Sequence, residues 1–479
     1  MRILFVAAEV APFAKVGGLA DVAGALPKAL CALGHDVRVI MPRYGTVDGS
    51  QYGLSDALGD SSVNVLGSSD LARLHVSEAG QVPVYFVAND RYFARDNVYG
   101  YEDDIERFLY FCRAALDSVD ALGWAPDVVH VNDWHTAVIP HWMRHGYDIP
   151  ASFHSAASVI TIHNLAYQGG FDPGLYPTEW IDPTALEPRA DGSHDLLAQG
   201  IASADLVTTV SERYAEEITL PEYGEGLDEL LRRRGNELKG IINGIDYDVF
   251  DPANDPAIAQ PYSADSLDGK AACKAALQRE AGFDVAPRTP LLGIVGRLAD
   301  QKGFDLVAQI IEPFLAEVDA QIVMLGTGEP RYHDLFRELA AHNRRQLAVH
   351  LKFDAALAQR IYAGSDMFLM PSRFEPCGLG QLISLRYGTV PVVRSTGGLA
   401  DTVVDYQSTT RRGTGFVFRE YQPFALTLAL GRALETYRDL DRWRDIQSQG
   451  MKQDVSWKGS AQKYVDVYQQ AVERGGRAR

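Results

Sequence analysis

The stretch "VPVVRSTGGLADTV", Val390–Val403, reads as an apolar β-rich run, a pair of glycines and the opening of a helix. Its hexapeptide Thr396–Asp401 recurs near the other end of the chain as Val16–Asp21, within "KVGGLADV", with one position changed and Lys15 placed ahead of it. Paired glycines let a backbone approach a ligand closely, and a helix N-terminus offers unpaired N–H groups and the positive end of a dipole. Either copy alone is a tight turn. Two copies, one in each half of the chain and one with a lysine, point to a repeated architecture that serves a site.

The surroundings of each copy support that reading. "ILFVAA" (3–8) is a buried strand, and Leu19, Val22, Leu26, Leu30 and Leu33 then fall at helical spacing before the strand "DVRVIMP". "DVVHVNDW" (127–134), "SVITIHN" (158–164) and "DLVTTVS" (205–211) continue the strand-then-loop pattern, with Ser211 placed to cap a helix. The pattern restarts with "LLGIVGR" (291–297), "AQIVMLGTG" (320–328), "DMFLMPS" (366–372) and "VPVVRSTGG" (390–398). Such alternation means parallel sheets with right-handed crossovers. The expected fold is therefore α/β, with two doubly wound, Rossmann-like domains. Ligands of such sheets bind beyond the carboxyl ends of the strands, so the expected site is an interdomain cleft. "YDVFDPANDPAIAQPYS" (247–263) reads as the linker, and a break there gives domains 1–245 and 246–456, with a last helix from about Trp457.

Composition narrows the partners. The 479 residues carry a formal net charge of −18, which disfavours nucleic acid and anionic membrane surfaces. An anionic ligand must then meet a local positive site. The four cysteines, Cys31, Cys112, Cys273 and Cys377, form no CxxC pair, which suits a reducing compartment. The N-terminal apolar run ends at Glu9, too early for a signal peptide, and a cytoplasmic protein is expected.

Several motifs carry chemistry. In "GRLADQKGFDL" (296–306) Arg297 and Lys302 stand on one glycine-bearing loop, a pairing that suits a diphosphate. In "PSRFEPCGLGQL" (371–382) Glu375 sits in a glycine-ended loop where a carboxylate can bind sugar hydroxyls or act as a base, and Cys377 reads as a small packing residue. "TIHNLAYQG" puts His163 at a strand end, and "HVNDWHT" sets Asp133 and His135 around Trp134, which suggests polar and stacking contacts to a carbohydrate. Tyr92, Phe93, Tyr99 and Tyr101 cluster nearby, mostly as core. No metal site is expected, and "AEVAPFAKVGG" lacks the GxGxxG of a dinucleotide enzyme.

Taken in order, "KVGGLADV", "DWHT", "TIHNLAYQG", "VTTVS", "NGID", "GRLADQKG", "PSRFEPCGL" and "STGGLAD" resemble the bacterial and plant glycogen/starch synthases, retaining glucosyltransferases of the GT-B fold. The resemblance spans nearly the whole chain. It implies ADP-glucose as donor, an α-1,4-glucan as acceptor, no cofactor, and a C-terminal helix (about 457–479) that returns to the N-terminal domain. It makes Lys15, Gly17, Gly18 and Asp21 the donor loop and Asn243 a further donor contact. Arg297 and Lys302 hold the diphosphate, while Glu375 and the Cys377–Gly378–Leu379 backbone fix the transferred glucose. Thr396, Gly397 and Gly398 offer N–H groups to phosphate, His163 stands beside the anomeric carbon, and Asp133, His135 and Tyr99 lie on the acceptor side. Three positions depart from the family pattern: Ile383 where the wider clan has a second glutamate, Gly380 where many relatives have threonine, and Ala198 where relatives tend to have lysine. The rival expectations are the same fold using UDP-glucose, and a non-catalytic carbohydrate- or nucleotide-binding protein.

Overall fold

Apolar runs become parallel strands here because helices cover both of their faces. The computed structural model describes residues 1–65, 67–145, 149–175 and 192–475. It divides into two units, Met1–Gly244 with Trp457–Arg479, and Ile245–Ser456.

The strands of the first unit are β1 (Arg2–Val6), β2 (Asp36–Pro42), β3 (Ser55–Val65), β4 (Ser68–Ser77), β5 (Val84–Ala88), β6 (Val128–Asn132), β7 (Ala157–Ile162), β8 (Gly170–Phe171), β9 (His194–Asp195), β10 (Leu206–Thr209) and β11 (Leu238–Gly240). The main sheet runs β11-β10-β7-β6-β1-β2-β5-β4-β3. It is parallel from β11 through β5, and β4 is antiparallel to both β5 and β3. Central β1 buries Ile3, Leu4, Phe5 and Val6 completely. The helix Gly18–Ala32 buries Leu19, Val22, Leu26 and Leu30, the stripe its spacing requires. Ser211 caps its helix as expected, its hydroxyl accepting the Tyr214 N–H at 3.1 Å.

The helix Trp457–Gly475 closes this unit. It buries Trp457, Ala461, Tyr464, Val465 and Tyr468 and packs against the helix Gly18–Ala32 and β7. Among its polar anchors is the Tyr468 hydroxyl, 2.7 Å from His130 Nδ1 in β6. His130 Nε2 in turn meets Thr161 Oγ1 at 2.6 Å, and Thr161 meets Thr208 at 2.6 Å, so one buried chain of polar groups crosses β6, β7 and β10. Burial holds the His130 imidazole down to a pKa of about 3, so it serves this chain as a neutral ring.

The second unit contains β12 (Leu291–Val295), β13 (Gln321–Leu325), β14 (Leu347–His350), β15 (Met367–Met370), β16 (Val390–Arg394) and β17 (Phe416–Phe418), all parallel, in the order β14-β13-β12-β15-β16-β17. Alternate residues serve different cores. Ile322, Met324, Met367, Leu369, Val390 and Val392 face one cluster, while Phe368, Met370 and Val393 face another. The Pro- and Asp-rich segment read as a linker is instead bound into this unit. Ile258 and Tyr262 join its core, Tyr262 donates to the Tyr387 carbonyl at 2.8 Å, and Tyr387 donates to Asp255 at 2.6 Å. Its prolines stop regular structure without stopping burial.

Candidate active site

In the first unit the loop leaving β1 carries the first GGLAD copy. Lys15 Nζ lies 2.6 Å from Asp21 Oδ1, so these two expected donor contacts are brought together as an ion pair. Burial raises the Asp21 pKa and Lys15 opposes that rise. A residue missed in the sequence organises the loop. Glu9, 4% exposed, accepts the N–H groups of Val16 at 2.5 Å and Gly17 at 2.9 Å on Oε2, and the Tyr99 hydroxyl at 2.7 Å on Oε1. Its one sequence signal is that it interrupts the apolar run.

Two strand ends of the same unit form a second group. Asp133 follows β6 with φ +55 and ψ −174, a setting that residues with a side chain rarely adopt. Its carboxylate accepts the His163 N–H at 2.7 Å and so fixes the turn after β7. Burial lifts its pKa to about 7, helped by the charge of Glu9 and opposed by the amides of His163 and Asn164. Asn132 Nδ2 donates to the Val6 carbonyl at 3.0 Å, which leaves Oδ1 facing His163 Nε2 at 2.9 Å. The ring proton therefore sits on Nε2. Burial holds the His163 pKa down to about 3, so the imidazole is neutral. His135, 7% exposed, is set in an aromatic stack. Tyr99 lies 4.6 Å from it at 25°, and Phe108 and Trp134 complete the group. Asn243 is buried in the first unit, and its Oδ1 has no hydrogen-bond partner.

In the second unit Lys302 and Glu375 meet directly. The ammonium lies 2.8 and 2.7 Å from the two carboxylate oxygens, and Ser372 Oγ adds a third contact at 2.9 Å. Glu375 is 4% exposed, so its charge is matched inside the protein. Arg297 is exposed and donates to Gln301 at 3.0 Å. The second GGLAD copy is folded under the Glu375–Cys377 loop. A Cβ on Gly397, whose φ is +43, would stand 2.0 Å from the Glu375 carbonyl oxygen, and one on Gly398 would stand 2.0 Å from that of Cys377. The Gly398 N–H donates to the Glu375 and Pro376 carbonyls at 3.1 and 3.2 Å, and Thr396 is the buried N-cap. That amide, like those of Val16 and Gly17, is engaged inside the protein. Gln381 Nε2 holds the Cys377 and Gly378 carbonyls at 3.0 and 2.8 Å, and Leu379 is the N-cap of the next helix. Phe353, 74% exposed, follows β14 at the same carboxyl edge and was not singled out in the sequence. The departures are packing positions: Ile383 lies in the core with Phe368, and Ala198 is 5% exposed.

Among the described residues no group of three or more His, Cys, Asp or Glu side chains is placed to hold a metal ion. Nor is any described helix long and apolar enough to cross a membrane.

Comparison with known proteins assigns the family. Residues 2–233 match the starch synthase catalytic domain, and residues 281–449 match the glycosyl transferases group 1 domain. The glycogen synthase of Moorella thermoacetica is 48% identical over 99% of this chain and 97% of that protein. Glycogen synthase 2 of Geobacter sulfurreducens is 46% identical over 99% of each.

The chain belongs to the glycogen synthase family.

It is a glycosyltransferase of the GT-B fold. The catalytic domain of starch synthase IV from Arabidopsis thaliana, solved bound to ADP and acarbose, superposes with a TM-score of 0.93 at 34% identity over 98% of this chain and 99% of that one. Sucrose-phosphate synthase from Thermosynechococcus elongatus shares the fold at a TM-score of 0.61, with 16% identity over 98% of each chain.

Proposed function

We propose that this glycogen synthase homologue transfers glucose from ADP-glucose to the non-reducing end of an α-1,4-glucan, with retention, in the cytoplasm and without a metal cofactor. The observation that carries it is the ammonium of Lys302, held by Glu375 at the carboxyl edge of a parallel sheet with Arg297 on the same loop. A glucan–O–C1 bond forms as the C1–O bond to the diphosphate breaks, and the acceptor proton passes to the departing phosphate. Negative charge grows on that phosphate, and cations fixed beforehand stabilise it without reorganising. Lys15 supplies a further cation from its own loop. Neutral His163 contributes through hydrogen bonding and its backbone, not through charge. Asp133 holds the His163 turn on the acceptor side, with His135 beside it.

Four further observations support the reading. Gly17 has room for a side chain in the protein, its Cβ position lying 3.9 Å from Glu9 Oε1, so its glycine leaves space for a ligand. Asn243 presents a buried, unpartnered oxygen, and Phe353 an open aromatic face fit to stack on a base. The Arabidopsis enzyme was solved with ADP.

Retention is tested by ¹H NMR of the linkage formed from an α-configured donor with a chelator present. An α linkage is expected; a β linkage, or a rate abolished by the chelator, would overturn this part of the proposal.

A further inference from the structure

Each GGLAD copy is tied to a glutamate, by different atoms. The second copy is bound to the backbone carbonyl of Glu375, and the first to the side chain of Glu9. Lys15, Val16, Gly17 and Gly18 are all exposed, so this loop has little apolar burial to fix it. The Val10–Ala14 bridge and the Ala11 N–H to Ala20 carbonyl bond at 3.0 Å fasten only its base. Gly17 is the N-cap of the helix Gly18–Ala32 and has no side chain to accept an N–H. Glu9, eight residues upstream, instead accepts the N–H groups of Val16 and of Gly17 itself, just ahead of the first turn. A carboxylate accepting backbone N–H groups at a helix N-terminus is stabilising, both through its hydrogen bonds and through the dipole.

The ammonium of Lys15 is paired with Asp21, not with Glu9. Glu9 therefore reaches the lysine only through the peptide groups that follow it. Tyr99 buttresses the carboxylate from the other side.

We propose that Glu9 is a positioning residue for Lys15: by gripping the amides of Val16 and Gly17 it sets where the lysine side chain leaves the backbone, and Tyr99 holds Glu9 in turn. This rests on the donor reading of Lys15. It also gives the Tyr99 hydroxyl a duty toward the donor, in contrast to an acceptor contact.

The test is a double-mutant cycle on kcat/KM for ADP-glucose, with KM for glycogen and the melting temperature measured alongside. Lys15→Gln and Glu9→Ala are each expected to lower kcat/KM for the donor at least about tenfold, the scale of a lost charge-assisted contact. The double variant is expected to match Lys15→Gln within about twofold, because a lysine already removed cannot be mispositioned. Glu9→Gln keeps an oxygen for the amides and should recover most of the loss. Tyr99→Phe should lower donor kcat/KM a few-fold and leave the glycogen KM unchanged. Should Glu9→Ala fail to fold, the cycle is run with Glu9→Asp, whose carboxylate is one methylene too short to hold the two amides where they stand. Multiplying losses in the double variant, unchanged donor kinetics in Glu9→Ala or Glu9→Asp, or a raised glycogen KM in Tyr99→Phe would overturn the proposal. Unchanged donor kinetics in Lys15→Gln itself would overturn the donor reading beneath it.

Discussion

A methyl group at Gly17 would come no closer than 3.9 Å to the protein, whereas one at Gly398 would stand 2.0 Å from the Cys377 carbonyl oxygen. The same pair of letters thus answers to packing in the second copy and, on the proposed function, to a ligand in the first. Gly17→Ala should keep its melting temperature within about 2 °C of the parent and lose at least about tenfold in donor kcat/KM. Gly398→Ala should instead lose stability by about 1–3 kcal/mol or more, read by thermal unfolding, because backbone must move to admit it. Asp133 makes a separate prediction. Its folded pKa of about 7 exceeds the 3.8 of the free group, so stability from this carboxyl is whole below 3.8 and is lost as pH rises through about 7. Asp133→Asn should remove that decline, roughly 4 kcal/mol at full extent, so unfolding midpoints of parent and variant should diverge toward alkaline pH. Lys15, Arg297, Lys302 and Glu375 stand out as candidates in the sequence because charges among glycines interrupt an apolar pattern. Glu9 was not, because its partners are backbone amides seven and eight residues away, which no side-chain pattern encodes.

Among the elements, the parallel strands were legible because residues buried on both faces make unbroken apolar runs. The hairpin of β3 and β4 was not. "SDALGDSSVNV" lies at the sheet edge, mostly exposed, and carries Gly, Asp and Ser, which strands disfavour. The Pro-rich segment 247–263 was misread for the opposite reason, since Ile258 and Tyr262 bury an irregular backbone. The closing helix Trp457–Gly475 has a fully buried polar anchor in Tyr468, beside the contacts of Ser460, Lys463 and Arg474. Tyr468→Phe would leave a buried nitrogen of His130 unpaired and should cost about 1–3 kcal/mol in denaturant unfolding. Gly380, at the start of the helix that follows the Glu375 loop, has its missing volume occupied. A Cβ there would lie 2.9 Å from the Phe368 ring and 3.2 Å from Met370 Sδ. Gly380→Thr should therefore destabilise this unit by about 1–3 kcal/mol, and trimming Phe368 to leucine in the same chain should recover part of the loss.

For the whole molecule, a net charge of −18 makes the cations of the Lys15 and Arg297–Lys302 loops local exceptions, which the proposed function assigns to an anionic donor. The family and the two Rossmann-like units were legible from eight ordered motifs, whereas recognition of the nucleotide base left no short motif: Phe353 stands alone in its loop. The most direct measurement is the initial rate of glucose transfer to glycogen from ADP-glucose and from UDP-glucose, in parallel and with a chelator present. The account predicts strong preference for ADP-glucose. Preference for UDP-glucose, or no transfer from either while nucleotide still binds, would contradict it.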